Sequence, residues 1–283
     1  MIDRDAWQRQ RVAQVTLLHQ YRAWVAAGYV PSMLDVSFRV NSQNDEDGLL
    51  LYVFAHAGFN TRVAVEIAAG DGIECNSANL LLHHGFTGLL FEAHPEKRAA
   101  GEAFYKAHPA TAFFSPKFVG EWVTRENINK LVTEAMFPGV LAQGGEIDLL
   151  SLDIDGNDYW ILDALFCVQP RVIILEFNAV WGATRSVTIP YAEDFVAEPA
   201  PIPYLGASLP AFVKLLGKRN YRLVGVERLG FNAVFVRNDL APALPEVTAA
   251  ACMAGPIVSI CQAALEADPR LGAEVRARPW VDV

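Results

Sequence analysis

Positive charge is scarce in this chain. Against 32 acidic residues there are 23 lysines and arginines, a formal net charge of −9, and the basic residues form no cluster. That balance excludes a nucleic-acid-binding surface, which needs a basic patch or stripe. Long apolar runs are missing too: none approaches the roughly 20 residues required to cross a bilayer, so no membrane association is expected. The polar start MIDRDAWQRQ lacks the apolar stretch of a secretory leader. Cysteine is sparse. Cys75, Cys167, Cys252 and Cys261 show neither CxxC pairing nor zinc spacing, which reads as four reduced thiols in a cytoplasmic protein.

What the chain has instead is a large apolar fraction, 52% hydrophobic against 19% charged over 283 residues. Such a composition suits a parallel sheet covered on both faces. From residue 3 to about 28, Trp7, Val12, Val15, Leu18, Tyr21, Trp24 and Val25 recur at threes and fours, predicting an amphipathic helix that Gly28 and Pro31 stop. Asn44 and Asp45 can cap a second helix carrying Leu49, Leu50, Val53 and Phe54. Strands are then expected at Val63–Ile67, Leu89–Phe91, Thr111–Phe114, Ile147–Asp153 and Val172–Phe177, each separated from the next by a helical stretch. Strands alternating with helices predict a doubly wound α/β sheet. Helix starts are placed at Pro95 and Thr124, a helix at Tyr159–Phe166, another at Ser208–Lys218, and a closing hairpin at Tyr221–Val226 and Asn232–Arg237.

The most informative stretch runs from Val63 to His94. An apolar strand carries Glu66 and leads into the turn Ala68-Ala69-Gly70-Asp71-Gly72; a helix follows, and a second strand stops on Glu92. This βαβ layout holds an adenosine-bearing cofactor, with glycines for close backbone approach and an acid for ribose hydroxyls. A dinucleotide site wants G-x-G-x-x-G around a pyrophosphate. Here Glu66 and Asp71 flank the turn, a charge pattern suited to the cationic S-adenosylmethionine rather than to NAD(P).

The motif E-x-x-x-G-D-G-I-E-x-N-S (from Glu66), followed by G-x-x-G-L-L-F-E (ending at Glu92), resembles class I S-adenosylmethionine-dependent methyltransferases, in particular the FkbM-type group. The resemblance continues through S-Q-x-x-E-D-G (Ser42–Gly48), D-L-L-S-L-D-I-D-G-N-D-Y-W (Asp148–Trp160), P-R-V-I-I-L-E-F-N (Pro170–Asn178), Y-L-G-A-S-L (Tyr204–Leu209) and G-F-N-A-V-F-V-R (Gly230–Arg237). One departure stands out: Ala68 occupies the position of the usual first glycine. The resemblance implies a Rossmann-like methyltransferase domain over residues 61–240, with a lid at about 179–206. An N-terminal helical extension over 1–60 precedes it, and a C-terminal helical tail over 241–283 follows. It also implies methyl transfer to a hydroxyl of a sugar or other polar small molecule. An NAD(P)-dependent oxidoreductase and a non-catalytic S-adenosylmethionine-binding protein are the alternatives. A homo-oligomer is left open.

Candidate cofactor contacts are Gln43, Glu66, Ala68, Gly70, Asp71, Gly72, Asn76, Glu92, Ala93, Trp122, Val123 and Asp153. For Gln43 the competing reading is a helix-capping arrangement of Ser42 and Glu46, and Trp122 and Val123 read equally well as core. Ligands bind beyond the carboxyl ends of parallel strands, where Asp153, Asp155, Glu176 and Asn178 fall. These residues suit a divalent cation such as Mg²⁺ held by Asp153, Glu176 and Asn178. A metal-free general base, Asp153 or Asp155, and plain strand-end caps are the alternatives. Asp158 reads as a helix cap, and His94 as solvent-facing.

Overall fold

The computed structural model describes residues 3–199 and 202–283. Helices α1 (Arg4–Ala26), α2 (Met33–Val36) and α3 (Glu46–Ala57) precede the sheet. Asp3 caps α1 by accepting from the backbone N–H groups of Asp5 and Ala6. In the βαβ region, β1 (Val63–Ile67), α4 (Ala78–His83) and β2 (Thr87–Phe91) lead to α5 (Pro95–Ala107) and β3 (Lys117–Val119). After α6 (Ile128–Ala135) and α7 (Pro138–Ala142) come β4 (Glu146–Leu152), α8 (Asp158–Ala164) and β5 (Gln169–Glu176). The lid region holds a short 3-10 turn at Ala179–Trp181 and β6 (Val187–Thr188). Then follow α9 (Leu209–Gly217), β7 (Tyr221–Val226), β8 (Asn232–Arg237), α10 (Ala249–Met253), α11 (Pro256–Ala267), α12 (Ala273–Arg276) and β9 (Val281–Asp282).

Seven strands form one sheet in the order β3-β2-β1-β4-β5-β8-β7. The first five in this order run parallel; β8 enters antiparallel between β5 and β7. Helices cover both faces, giving the expected Rossmann-like α/β architecture. Two apolar layers form because strand side chains alternate: Val63, Val65 and Ile67 enter one layer, and Ala64 enters the other. No described helix is long and apolar enough to cross a membrane.

Two expectations are corrected. The third strand lies at Lys117–Val119, not Thr111–Phe114. Those residues turn instead, with the Thr111 hydroxyl donating to the Tyr105 carbonyl and the Ala112 N–H donating to His108. The C-terminal tail is helical as expected but ends in β9, which pairs antiparallel with β6 of the lid.

Candidate active site

A cavity of about 670 Å³ lies along the carboxyl ends of the parallel strands. Its β1–β2–β3 side is lined by Ala68, Gly70, Glu92, Ala93, Trp122 and Val123. Its β4–β5–β8 side holds Asp153, Asp155, Glu176, Asn178 and Phe231, roofed by lid residues including Phe195 and Leu205. The sequence-derived candidates are thus brought together along one sheet edge, with five exceptions.

Glu66 is buried, and both its oxygens are occupied. They accept from the N–H groups of Asn76 (2.9 Å) and Ser77 (2.8 Å), and the Ser151 hydroxyl adds a third bond. Glu66 therefore holds the chain at the start of α4 and lies outside the cavity lining. Asn76 donates its amide to Ser151 at 3.1 Å. Asp71 accepts from the Ile73 N–H at 2.9 Å, closing the turn on itself. Gly72 faces the interior: a Cβ there would stand 2.9 Å from Leu90 Cδ1, and its φ of +69° favours glycine. Gln43 is exposed and lies outside the cavity lining. Its neighbours form a capping arrangement, with Asp47 rather than Glu46 as the partner. The Ser42 hydroxyl accepts from the Asp47 N–H, while Asp47 Oδ2 accepts from the N–H groups of Val40, Asn41 and Ser42. Glu46 instead accepts from Asn44 and Asn232.

Gly70 and Glu92 both line the cavity. Gly70 sits at φ +60° with open space where a Cβ would be. Ala68 takes the same left-handed conformation, φ +65°, which a glycine would adopt without strain. Glu92, just past β2, accepts from the His94 N–H at 2.7 Å through one oxygen and lines the cavity. His94 is exposed as expected, at the cavity mouth beside Lys97.

Three carboxylates meet at the other end. Asp153, Asp155 and Glu176 each bring an oxygen within 4.8 Å of the other two. Asp153 follows β4 directly, Glu176 ends β5, and Asp155 reaches the group through a left-handed backbone, φ +55°, in place of the expected strand extension. Burial, then Asp158 and Asp155, push the Asp153 carboxyl up to about 8. Burial, then the neighbouring Asp153, hold Glu176 well above the usual carboxyl range. One Glu176 oxygen is buried without a partner. Asp158, fully buried, accepts from the N–H groups of Ile154 and Gly156, both at 2.9 Å, and so fixes the turn that presents Asp155. It braces this turn instead of capping the end of α8.

Asn178 takes a different part from the expected metal ligand. Its amide donates to the carbonyls of Pro203 (2.7 Å) and Leu205 (2.9 Å), and its oxygen accepts from the Val180 N–H. The acid that joins Asp153 and Glu176 is Asp155. Further bonds tie the lid down: Trp122 Nε1 donates to Glu193, Asn157 Nδ2 to Ala192 and Trp160 Nε1 to Ile189. Gly156 leaves room for Phe195, whose ring would lie 2.5 Å from a Cβ there. Phe195 belongs to the aromatic stretch read from the sequence as a lid, whereas Phe231 and Leu265 were not singled out, because distant segments bring them to the cavity.

No family model and no curated protein sequence matches this chain. Solved structures similar to it include an S-adenosylmethionine-dependent methyltransferase from Clostridium acetobutylicum ATCC 824, at 11% identity and TM-score 0.35, covering 63% of this chain and 85% of that one. Another is the magnesium protoporphyrin IX methyltransferase of Synechocystis PCC 6803, at 13% identity and TM-score 0.36, covering 68% and 77%. A third is an O-methyltransferase family protein from Burkholderia thailandensis, at 14% identity and TM-score 0.39, covering 80% and 70%.

Proposed function

We propose that this chain is an S-adenosylmethionine-dependent methyltransferase of the FkbM type, acting on a hydroxyl of a carbohydrate-related or other polar small molecule. One observation carries the reading: a single cavity joins the Gly70 turn and Glu92 at one end to the Asp153, Asp155 and Glu176 carboxylates at the other. Its volume falls in the range of small-molecule sites. The left-handed Gly70 lets backbone approach a ligand, Glu92 offers an acceptor for ribose hydroxyls, and Val123 with Trp122 supplies an apolar wall for the base.

Bound S-adenosylmethionine supplies an electrophilic methyl on a cationic sulfur. The protein's part is to hold the acceptor hydroxyl in line with that methyl and to receive its proton. Burial among the other acids raises the Asp153 carboxyl to about 8, nearer the working range of a general base than an ordinary aspartate. Asp153, with Glu176 beside it, would receive the hydroxyl proton as the cofactor's methyl group is transferred.

A second reading is favoured by the unpartnered oxygen of Glu176. Three convergent carboxylates are hard oxygen donors that fit a divalent cation such as Mg²⁺. A cation held there by Asp153, Asp155 and Glu176 would acidify a bound hydroxyl. Activity that survives excess chelator but is lost in Asp153→Asn selects the first reading; loss on chelation with cofactor affinity intact selects the second.

Calorimetry with S-adenosylmethionine, S-adenosylhomocysteine, NAD and NADP tests the function itself. Binding of the first two alone is expected. A preference for the dinucleotides overturns the proposal in favour of an oxidoreductase.

A further inference from the structure

The cavity's two halves differ in what they can recognise. The half formed by β4, β5, β8 and the lid is where, on the reading above, the acceptor sits. Its side-chain donors are consumed by the lid: the Asn178 amide by Pro203 and Leu205, and the Asn157 amide by Ala192. Its acceptors are left open. Asn157 Oδ1 and one oxygen of Glu176 are buried without hydrogen-bond partners, and Asp153 and Asp155 add carboxylates. Buried acceptors without partners are costly unless a ligand supplies donors.

Charge restricts the ligand further. Among the described residues, no lysine, arginine or histidine lines this half; Lys97 and His94 lie at the β2 end. Arg278, close to the lid, pairs with Glu198 and stacks on Tyr204. A phosphate or carboxylate on the acceptor would meet carboxylates with no counter-charge, and burying it so is strongly unfavourable.

The walls are apolar: Phe195, Val196, Ile202, Leu205, Phe231 and Leu265. Val196 is 76% exposed and Phe231 48% exposed, so the mouth presents large apolar side chains to water. Exposed apolar surface gathered around a polar floor marks a place where an apolar ligand surface is to be covered.

From this arrangement we infer that the acceptor has a hydroxyl-rich, non-anionic head on an apolar body: an alkyl or aryl glycoside, not a free sugar, a sugar phosphate or a nucleotide sugar. The head places its hydroxyls on the Asp155, Glu176 and Asn157 oxygens, and the body lies against Val196 and Phe231. The class of reaction that supplies such a substrate is glycosyl transfer to an apolar hydroxyl compound, so methylation follows attachment of the sugar.

This inference rests on the methyltransferase reading, and the experiment separates the two. Full-length protein is titrated calorimetrically, with and without S-adenosylhomocysteine and with and without MgCl₂. The probes are paired methyl and hexyl glycosides of several hexoses, the matching hexose phosphates and UDP-hexoses. At least one hexyl glycoside is expected to bind tenfold or more tightly than its methyl partner, since each buried methylene contributes roughly fourfold. The phosphorylated probes are expected to bind more weakly than either. The doubly substituted Val196→Asp/Phe231→Asn protein, altered only at exposed side chains, is expected to lose the hexyl preference while keeping its affinity for S-adenosylhomocysteine. Equal binding of methyl and hexyl partners, no binding of any hexyl glycoside, tighter binding of a phosphorylated probe, or a hexyl preference that survives the double substitution each overturns the inference. Failure of S-adenosylhomocysteine to bind overturns the methyltransferase reading alone, because the glycoside ranking is also measured without it.

Discussion

Glu66 and Glu92 look alike in the sequence, each an acid at the end of an apolar strand, yet they act in different ways. Glu66 holds two backbone N–H groups of the turn that follows the glycines, and Glu92 borders the cavity. Glu92→Ala is therefore expected to weaken S-adenosylhomocysteine binding by about 1.5–3 kcal/mol, the scale of a charged hydrogen-bond partner, with little change in melting temperature. Glu66→Ala strands two buried donors and is expected to cost about 3 kcal/mol of stability as well as cofactor affinity. Calorimetry and thermal melts on both variants check this; a Glu66→Ala protein of unchanged stability would contradict the structural role. The sequence placed both acids at strand ends correctly. It could not say which carboxylate was already satisfied, because the donors from Asn76 and Ser77 reach Glu66 only after the chain has folded back. Asn178 was misread for the same reason: its partners lie 25 and 27 residues further on, in the lid.

At the scale of elements, the long periodic segments were legible and the short ones were not. Helix α1 and strands β1, β2, β4 and β5 fall within a few residues of expectation, because amphipathic periodicity and buried apolar runs are local signals. Edge strand β3 has only three residues, too few to show a pattern, whereas the apolar run Thr111–Phe114 imitates a strand while its phenylalanines stay exposed. The role of α1 was also hidden. Its buried Gln14 exchanges hydrogen bonds with Asn79 of α4 and accepts from His84 Nε2 at 2.9 Å. Burial, and then the nearby positive charges, lower His84 to about 4; His83 is lowered likewise, burial again first. Both histidines are thus neutral in the fold and bind a proton more readily when unfolded. Their stabilisation is fully present above the ordinary pKa of 6.5 and is lost as pH falls from there towards 4. Melting temperature is expected to fall across that window, and His84→Gln is expected to flatten the fall. The penalty removed is on the order of 3 kcal/mol at full protonation. Parallel melting curves for the two proteins between pH 7 and pH 4 would show that His84 is not the sensor.

At the scale of the molecule, the C-terminal tail latches the lid, a connection no local pattern could reveal. Strand β9 pairs with β6, the Ser186 hydroxyl donates to the Val283 carbonyl, and the Tyr204 hydroxyl donates to Pro279. Trp280 stands edge-on to Trp181 at 5.7 Å and to Tyr204 at 5.4 Å, clamping the two ends of the lid together. The half of the cavity proposed for the cofactor, at Gly70 and Glu92, lies at the other end of the strand row and makes none of these contacts. Latch and cofactor site should therefore separate experimentally. Trp280→Ala removes both aromatic contacts, about 1 kcal/mol each beyond the area they bury, and so raises the population in which the lid is locally open. Trypsin is expected to cut after Arg185 severalfold faster in this variant, since Arg185 loses the packed Trp181 beneath its guanidinium and the strand that carries its Asp282 partner. Affinity for S-adenosylhomocysteine is expected to stay within about twofold, well below the tenfold that 1.4 kcal/mol represents. Faster cleavage with unchanged cofactor affinity identifies the tail as a latch on the acceptor side. A parallel loss of both would mean that the tail stabilises the whole sheet, and the division of the cavity into two independently built halves would fail with it.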